Sequence, residues 1–206
     1  MASISHSMAR RSRRFALLVL VAIFAMVGAA AAGPALTKGG HLDLSGMHDV
    51  AGREFRTPIR HALLIFSSSR QNADQTRRWG DAISDRYGDN VARWDEEKGE
   101  PILIVPVLDL SRKPRMVPES LVAKMVKLMS GDDEVLLDWQ GELGKKIGVP
   151  IDQAAVLLVG PDSKVQAIAI GDYSASSAPP LFAAMDAQIR HLPRHPSQPS
   201  GPASKR

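Results

Sequence analysis

The chain of 206 residues is long enough for one domain with a substantial core and too short for two ordinary domains with tails. Its net charge of +4 and its pI of 9.6 come from the two ends, because residues 33–190 hold 19 basic against 22 acidic residues; this excludes an obvious nucleic-acid-binding surface on the folded part. The chain contains no cysteine, which excludes disulfides, thiolate metal sites and thiol catalysis.

The N-terminus predicts a secretory signal. Four arginines precede the apolar segment FALLVLVAIFAMVG (15–28), and the small residues AAAAG follow it, as they do before a signal-peptidase site. We therefore expect residues 1–32 to be a cleaved signal peptide, with residues 33–40 as a flexible leader and a periplasmic or secreted product. The alternative is a membrane anchor formed by residues 15–33, since an apolar stretch of about 20 residues spans a bilayer.

Strands and helices then alternate along the chain. HLDLSGMHDVAGREF (41–55) predicts a β-hairpin that turns at Ser45-Gly46, and residues 61–66 predict a buried strand. Asn72, with Gln75 three residues later, predicts the N-cap of a helix that ends at Gly88. After a polar loop, PILIVPVLDL (101–110) predicts a second buried strand, in which Pro106 indicates an irregular end or edge.

The second half continues the alternation. A helix is predicted from Pro118 to Met129, and its apolar stripe is expected in the core: Leu121, Val122, Met125, Leu128 and Met129. A short strand (134–138), a short helix (142–147), a hairpin (154–171) and a last helix (179–190) follow. Residues 191–206 are rich in Pro and Ser and predict a disordered tail. Interleaved strands and helices over residues 41–190 predict an α/β fold with a mixed central sheet and helices on both faces.

This order is similar to that of the thioredoxin-like superfamily. EVLLDWQGELGKKIGV (134–149) and AAVLLVGPDSKVQAIAIG (154–171) resemble the corresponding segments of peroxiredoxins and thiol-disulfide oxidoreductases, and among relatives the chain looks closest to YtfJ-type exported bacterial proteins. The resemblance implies a thioredoxin-like three-layer sandwich with an N-terminal β-hairpin. It also places Gln71-Asn72-Ala73-Asp74 at the family's Cys-x-x-Cys and Ala154 or Ala155 near its cis-proline. Disulfide exchange needs a thiolate, so the resemblance extends to the fold and not to the redox reaction.

The first functional hypothesis is a redox-inactive exported module that binds a protein or peptide partner in the cell envelope, with no cofactor and no nucleic acid. The resemblance implies a groove for the partner between the first core strand and the loop before the penultimate strand. Its expected binding residues are Ser67, Ser68, Ser69, Arg70, Gln71, Asn72, Asp74, Gln153, Ala154 and Ala155.

Two alternatives remain open on the sequence alone. The first is a non-thiol enzyme that uses the helix N-terminus at Ser67–Arg70 with His61; the serines lack the flanking glycines of a nucleophile elbow, which favours turn and cap roles instead. The second is an envelope protein that binds metal weakly through His41, Met47 and His48. An ordinary surface hairpin explains these three residues better, and no catalytic residue or metal ligand is assigned.

Overall fold

The structure, a computed structural model, describes residues 36–56, 61–93, 102–131 and 134–191. The predicted signal peptide lies outside these residues, as does the predicted tail except for His191, which belongs to the last helix. The start of the leader and most of the polar loop before residue 102 also lie outside them. Among the described residues, no helix is long and apolar enough to cross a membrane.

One mixed sheet forms the centre of the described part. Its strands are β1 (His48–Asp49), β2 (Ala62–Ser68), β3 (Val91–Arg93), β4 (Ile102–Asp109), β5 (Leu136–Asp138), β6 (Ala155–Val159) and β7 (Val165–Ile170). They lie in the order β1-β5-β4-β2-β6-β7, with β3 beside β4. β4 runs parallel to β2, β3 and β5, whereas β6 is antiparallel to β2 and β7, and β1 is antiparallel to β5. This confirms the predicted mixed sheet.

Helices cover both faces of the sheet, because alternate strand residues point to opposite sides. The helices are α1 (Ala73–Tyr87), α2 (Glu119–Ser130), α3 (Glu142–Ile147) and α4 (Pro179–His191). On one face, Leu64 and Phe66 pack with α1 and α4. On the other face, Leu63 and Ile65 pack with α3 and the segment before β2. The predicted three-layer α/β sandwich is confirmed.

The N-terminal hairpin is present, but its turn differs from the prediction. Asp49 N donates to Arg53 O (2.9 Å) and Phe55 N donates to Met47 O (2.8 Å), so the chain reverses over residues 50–52. Ser45-Gly46 forms a separate, earlier turn. The alternating Leu42 and Leu44 do not form a strand of the hairpin; both side chains are buried in the core.

The two central strands are longer or more regular than their patterns suggested. β2 continues through Ser67 and Ser68, which pair with Val107 and Leu108 of β4, so the strand does not break at the first serine. Pro106 lies inside β4 opposite Phe66 of β2. On the other edge of β4, the partner changes from β3 (opposite 102–104) to β5 (opposite 107–109), and Pro106 falls in this gap, where a missing N–H donor is tolerated.

The apolar stripe of α2 is the one predicted core element that is mostly exposed. Val122 and Val126 pack against β4 and β5, but Leu121 and Leu128 are 49% and 75% exposed. Met125 and Met129 are also exposed. Val122 packs inward as predicted, but the prediction was wrong for the other four residues because the helix buries the adjacent side of its surface. The buried members of the small cluster beneath it are Leu108, Leu110, Val135 and Leu137.

Candidate binding site at the junction of β2 and α1

The predicted site residues meet at the carboxyl edge of the sheet, which is the edge formed by the ends of the parallel strands and not by an outermost strand. β2, β4 and β5 are parallel, so their carboxyl ends lie side by side and bring Ser68, Asp109 and Asp138 to the same edge. Antiparallel β6 begins at this edge, where Ala155 pairs with Ser67. The loop before β6 therefore runs past the junction of β2 and α1, as the predicted groove requires.

Ser69 makes the turn from strand to helix. It is 2% exposed and caps a single 3-10 turn (Arg70–Asn72) that leads directly into α1. Its hydroxyl accepts from Gln71 N (3.2 Å) and donates to Ile151 O in the loop before β6 (2.6 Å). The predicted cap role of the serines is therefore confirmed for Ser69, whereas Ser67 and Ser68 are buried strand residues.

Asn72 links the turn to the loop before β6. Its Oδ1 accepts from Ser69 N (2.8 Å), and its Nδ2 donates to Ile151 O (3.2 Å) and Gln153 O (2.9 Å). Asn72 is the N-cap residue of α1, as predicted, but its side chain makes no capping hydrogen bond, so the predicted capping pair of Asn72 and Gln75 is not formed. The capping box is instead formed by Ser69 and Asn72, which suits a 3-10 turn because side chains three residues apart eclipse one another.

Gln75 completes the connection from the first turn of α1. Its Nε2 donates to Asp152 O (3.3 Å), and its Oε1 accepts from Ala154 N (2.9 Å). Thr76, which is fully buried, donates to Asn72 O (3.1 Å) and so stabilises the end of the 3-10 turn. The expected groove is thus bridged by side-chain hydrogen bonds from Ser69, Asn72 and Gln75.

These bonds occupy most of the main-chain groups of the loop. The carbonyls of Ile151, Asp152 and Gln153 accept from side chains, Gln153 N donates to Pro150 O (3.0 Å), and Ala154 O accepts from Gly171 N (2.8 Å). A bound peptide could not pair with this loop as an added strand without breaking existing bonds. This arrangement favours recognition by side chains at this edge.

The accessible surface of the junction is polar. Gln71 and Asp74 are exposed on the helix side, Asp152 and Gln153 are exposed on the loop side, and Arg70 is half-buried between the strand and the helix. Among the other predicted binding residues, Ser67, Ala154 and Ala155 are buried beneath this surface. The predicted set therefore divides into an internal framework and a smaller outer surface.

A half-buried acid, Asp109, lies farther along the same edge. Burial raises the pKa of Asp109 above its ordinary value, against the hydrogen bonds from Ser111, and the Asp138 carboxylate adds to the rise. Asp138 is itself buried and accepts from Glu142 N and Leu143 N (both 2.9 Å), so it caps α3. Gly141 precedes that helix with φ 66°, and an added Cβ there would lie 2.9 Å from Ser111 Oγ. The sequence pattern did not identify Asp109.

The structure separates His61 from the serines with which the enzyme alternative combined it. His61 lies before β2 and Ser68 at its end, and a strand rises about 3.3 Å per residue, so the two are separated by roughly 20 Å. The hydroxyl of Ser69 is buried and already donates to Ile151 O. His61 therefore cannot serve as a base for these serines, and Ser69 is not presented as a nucleophile.

The proposed metal ligands are also separated. His41 pairs with Lys164 beside β7, whereas His48 belongs to β1, and β1 and β7 are the two opposite edges of the sheet. At about 4.8 Å between neighbouring strands, the two imidazoles lie on the order of 20 Å apart. Within the described ranges, no group of three or more His, Asp or Glu side chains is placed to hold a metal ion. The weak metal site considered as an alternative for His41, Met47 and His48 is therefore not formed.

Comparison with solved structures identifies the architecture. A crystal structure from Chlorobium tepidum, assigned as a thiol:disulfide interchange protein DsbE, has a TM-score of 0.51 at 12% identity, covering 75% of this chain and 99% of that one. A solution structure from Bacteroides thetaiotaomicron, assigned as a protein disulfide isomerase, has a TM-score of 0.50 at 11% identity, covering 75% and 91%. The fold is thioredoxin-like. A thiol peroxidase from Chromobacterium violaceum is also similar, with a TM-score of 0.47 at 16% identity, covering 77% and 89%.

The likeness is one of fold, at identities far below those that carry function. No protein-family model matches the chain, and neither does any curated protein sequence. The narrower resemblance to YtfJ-type exported proteins is not confirmed by these structures and stays a prediction. The chain thus combines a thioredoxin-like fold with a complete absence of cysteine.

The residues that contact the loop before β6 are not the two that the resemblance placed at the family's cysteine positions. The resemblance placed Gln71 and Asp74 at the two cysteine positions, but both are exposed and neither side chain is hydrogen-bonded to the loop. Ser69 and Asn72 are also three residues apart, are buried, and both bond to Ile151 O. The alternative register was not apparent from the sequence because Asn72 also fits the N-cap pattern of the following helix.

Proposed function

We propose that the protein is an exported, redox-inactive module of thioredoxin-like fold that binds a protein partner in the cell envelope. The outer surface of the junction, formed by Gln71, Asp74, Asp152 and Gln153, is the proposed binding surface. Two exposed carboxylates in this set favour a partner segment that carries basic side chains.

The observation that carries this proposal is the polar bridge across the groove. Ser69, Asn72 and Gln75 connect the junction to residues 151–154 with hydrogen bonds, in a fold whose thiol chemistry is absent. Such bonds make the two sides of the edge one rigid surface, because each buried polar group has a fixed partner. A rigid polar surface without a reactive group is suited to recognition rather than to turnover.

The direct test is photo-crosslinking from the proposed surface. A photo-reactive phenylalanine analogue replaces Gln71 or, in a second protein, Gln153. A third protein carries it at Asp81, an exposed position about 10 Å farther along α1 than Asp74. Irradiation of envelope fractions should give the same crosslinked partner from positions 71 and 153 and none from position 81. Equal crosslinking from all three positions, or none from the first two, would contradict the proposed surface.

Binding to the purified partner then tests the chemistry of recognition. Charge reversal by Asp74→Lys with Asp152→Lys should weaken binding to a basic segment, because it replaces attraction with repulsion at two exposed positions. Asp81→Lys makes the same kind of change on the same helix and should leave affinity within about twofold. An unchanged affinity in the double variant would exclude these carboxylates from the interface.

A further inference from the structure

The exposed apolar face of α2 has no role in the proposed function. Leu121, Met125 and Leu128 follow one another at spacings of four and three residues, so they form one stripe along the helix. They are 49%, 41% and 75% exposed, and Met116, in the loop before the helix, is 94% exposed. Transfer of these contiguous apolar side chains from water into an apolar environment would be favourable, so this face of α2 is a candidate contact surface.

Two lysines lie along one side of this stripe. Lys124 lies three residues after Leu121 and four before Leu128, and Lys127 follows Lys124 at the next helical neighbour position. Arg115, in the preceding loop, is exposed as well. Among the described residues, none of these three cations has an acidic partner, and the acid at the start of the helix, Glu119, already faces Lys113 (3.8 Å). Asp132 and Asp133, which follow the helix in sequence, lie outside the described residues.

We propose that α2 docks on the surface of an anionic lipid bilayer, with its Leu and Met side chains in the interface and its lysines beside the headgroups. An apolar stripe flanked by lysines is the pattern of helices that lie in the plane of a membrane. The long lysine side chains let the ammonium groups reach phosphate while their methylene groups stay with the apolar stripe.

The size of the stripe favours a membrane over a stable protein interface. Twelve helical residues extend about 18 Å, and a helix is about 10 Å wide, so the exposed stripe covers roughly 200 Å². That figure is a projected area; a stable protein interface buries about 800 Å² of accessible surface on each partner, and one face of a single three-turn helix supplies only part of such an interface. A second copy of the chain is disfavoured for another reason: an antiparallel two-fold pairing of α2 with itself would bring the lysine sides of the two stripes together.

A single introduced cysteine tests docking in the full-length chain, which has no other thiol. Leu128→Cys is labelled with a fluorophore sensitive to polarity, and Ile170→Cys, 44% exposed at the far edge of the sheet, carries the same label as a control. Vesicles of equal parts phosphatidylcholine and phosphatidylglycerol should shift the emission of the label at position 128 to the blue and leave that at position 170 unchanged. The local readout separates docking of α2 from any membrane contact of residues 1–35.

The charge requirement is tested in the same labelled protein. Vesicles of phosphatidylcholine alone should give no shift, and Lys124→Gln with Lys127→Gln should weaken binding roughly 25-fold, since each lysine near an anionic surface contributes about a factor of five. Circular dichroism would confirm that the variant is folded. Equal shifts with neutral vesicles, no shift with either, or a shift that depends on protein concentration without lipid would each overturn the proposal; the last would indicate a second copy as the occupant.

Discussion

At the residue scale, Asn72 is the buried polar side chain with the most partners at the junction. It joins the end of β2 to the loop before β6, and no neighbouring side chain can replace its bonds to Ile151 O and Gln153 O at the same time. Removing an amide of this kind leaves buried donors and acceptors unsatisfied, which costs more than the net value of the bonds themselves.

We therefore expect Asn72→Ala to lower the free energy of unfolding by about 3 kcal/mol, as measured by urea denaturation. Gln71→Ala is the matched control, because Gln71 is the adjacent residue but is exposed; it should change stability by no more than about 0.5 kcal/mol. Equal effects of the two substitutions would mean that the bridge contributes nothing specific to stability.

Asp109 predicts a pH dependence of defined sign. Its pKa in the folded protein is above the ordinary value of 3.8, so the folded state binds its proton more tightly than the unfolded state does. The stabilising contribution of this proton is complete below the unfolded pKa and is lost as the pH rises through the folded pKa. Asp109→Asn does not titrate, so its stability relative to the wild type should improve between about pH 3 and about pH 7.

Asp43 provides a control of opposite sign. A hydrogen bond from the main chain of Ser45 lowers the pKa of Asp43, so its contribution is present above the unfolded pKa and is lost as the pH falls. Asp43→Asn should therefore lose stability relative to the wild type as the pH rises over the same range. Urea midpoints of the three proteins at several pH values decide the question, and parallel curves for the two variants would contradict the assignment.

Single residues also show where sequence reasoning stops. Ser69 could be predicted as a cap because a serine between a strand and a helix has few other roles. The connections of Asn72 and Gln75 could not be predicted, because their partners lie about 80 positions away and an amide side chain fits a local cap equally well. Asp109 was missed for the same reason: only the packed sheet shows that it faces Asp138 across a strand pair.

At the element scale, boundaries marked by local chemistry were predicted well. Gly88 ends α1, residues 142–147 form α3, and the turn at Gly160–Ser163 joins β6 to β7, each as its own sequence required. The face on which α2 packs was not predictable, because apolar residues occur on two sides of this helix and periodicity alone does not select one. The three-residue β5 beneath it offers too little surface to cover both sides.

The register at the start of α1 can be tested with introduced cysteines. Ser69→Cys with Asn72→Cys places two thiols at eclipsed positions of a 3-10 turn, where Ser69 N and Asn72 Oδ1 already lie 2.8 Å apart. We expect this pair to form an intramolecular disulfide in air, detected by intact mass and by loss of titratable thiols. The buried position should also protect the oxidised form from reduction relative to an exposed pair.

Gln71→Cys with Asp74→Cys tests the register predicted from the resemblance. These positions are exposed, so a disulfide between them should be reduced more readily by added dithiothreitol than the bond between positions 69 and 72. If the pair at 71 and 74 oxidises and the pair at 69 and 72 stays reduced, then Gln71 and Asp74 occupy the positions of the family's cysteines and the register drawn from the hydrogen bonds fails.

At the scale of the whole molecule, the alternation of elements was sufficient to predict the layers. Interleaved strands and helices give parallel neighbours, and the β6-β7 hairpin adds antiparallel neighbours at one side of the sheet. The absence of cysteine then limits stability to packing and hydrogen bonds, since no covalent crosslink is available. The function of the molecule also depends on its compartment, which the N-terminal sequence predicts.

Export predicts a defined change in mass. Small residues occupy positions 29–32 after the apolar segment, and Pro34 disfavours a cut after residue 33, so cleavage is expected after Ala31 or Ala32. Intact-mass measurement of protein recovered from the cell envelope should therefore show a chain that begins at residue 32 or 33. Replacing Ala29, Ala30, Ala31 and Ala32 with Leu should block cleavage and leave the full-length chain in the membrane, because the peptidase requires small side chains before the cut. Ala35→Leu, just beyond the site, should be processed like the wild type. Recovery of uncleaved wild-type chain from the membrane would instead identify residues 15–33 as an anchor, which would hold the domain at the bilayer surface.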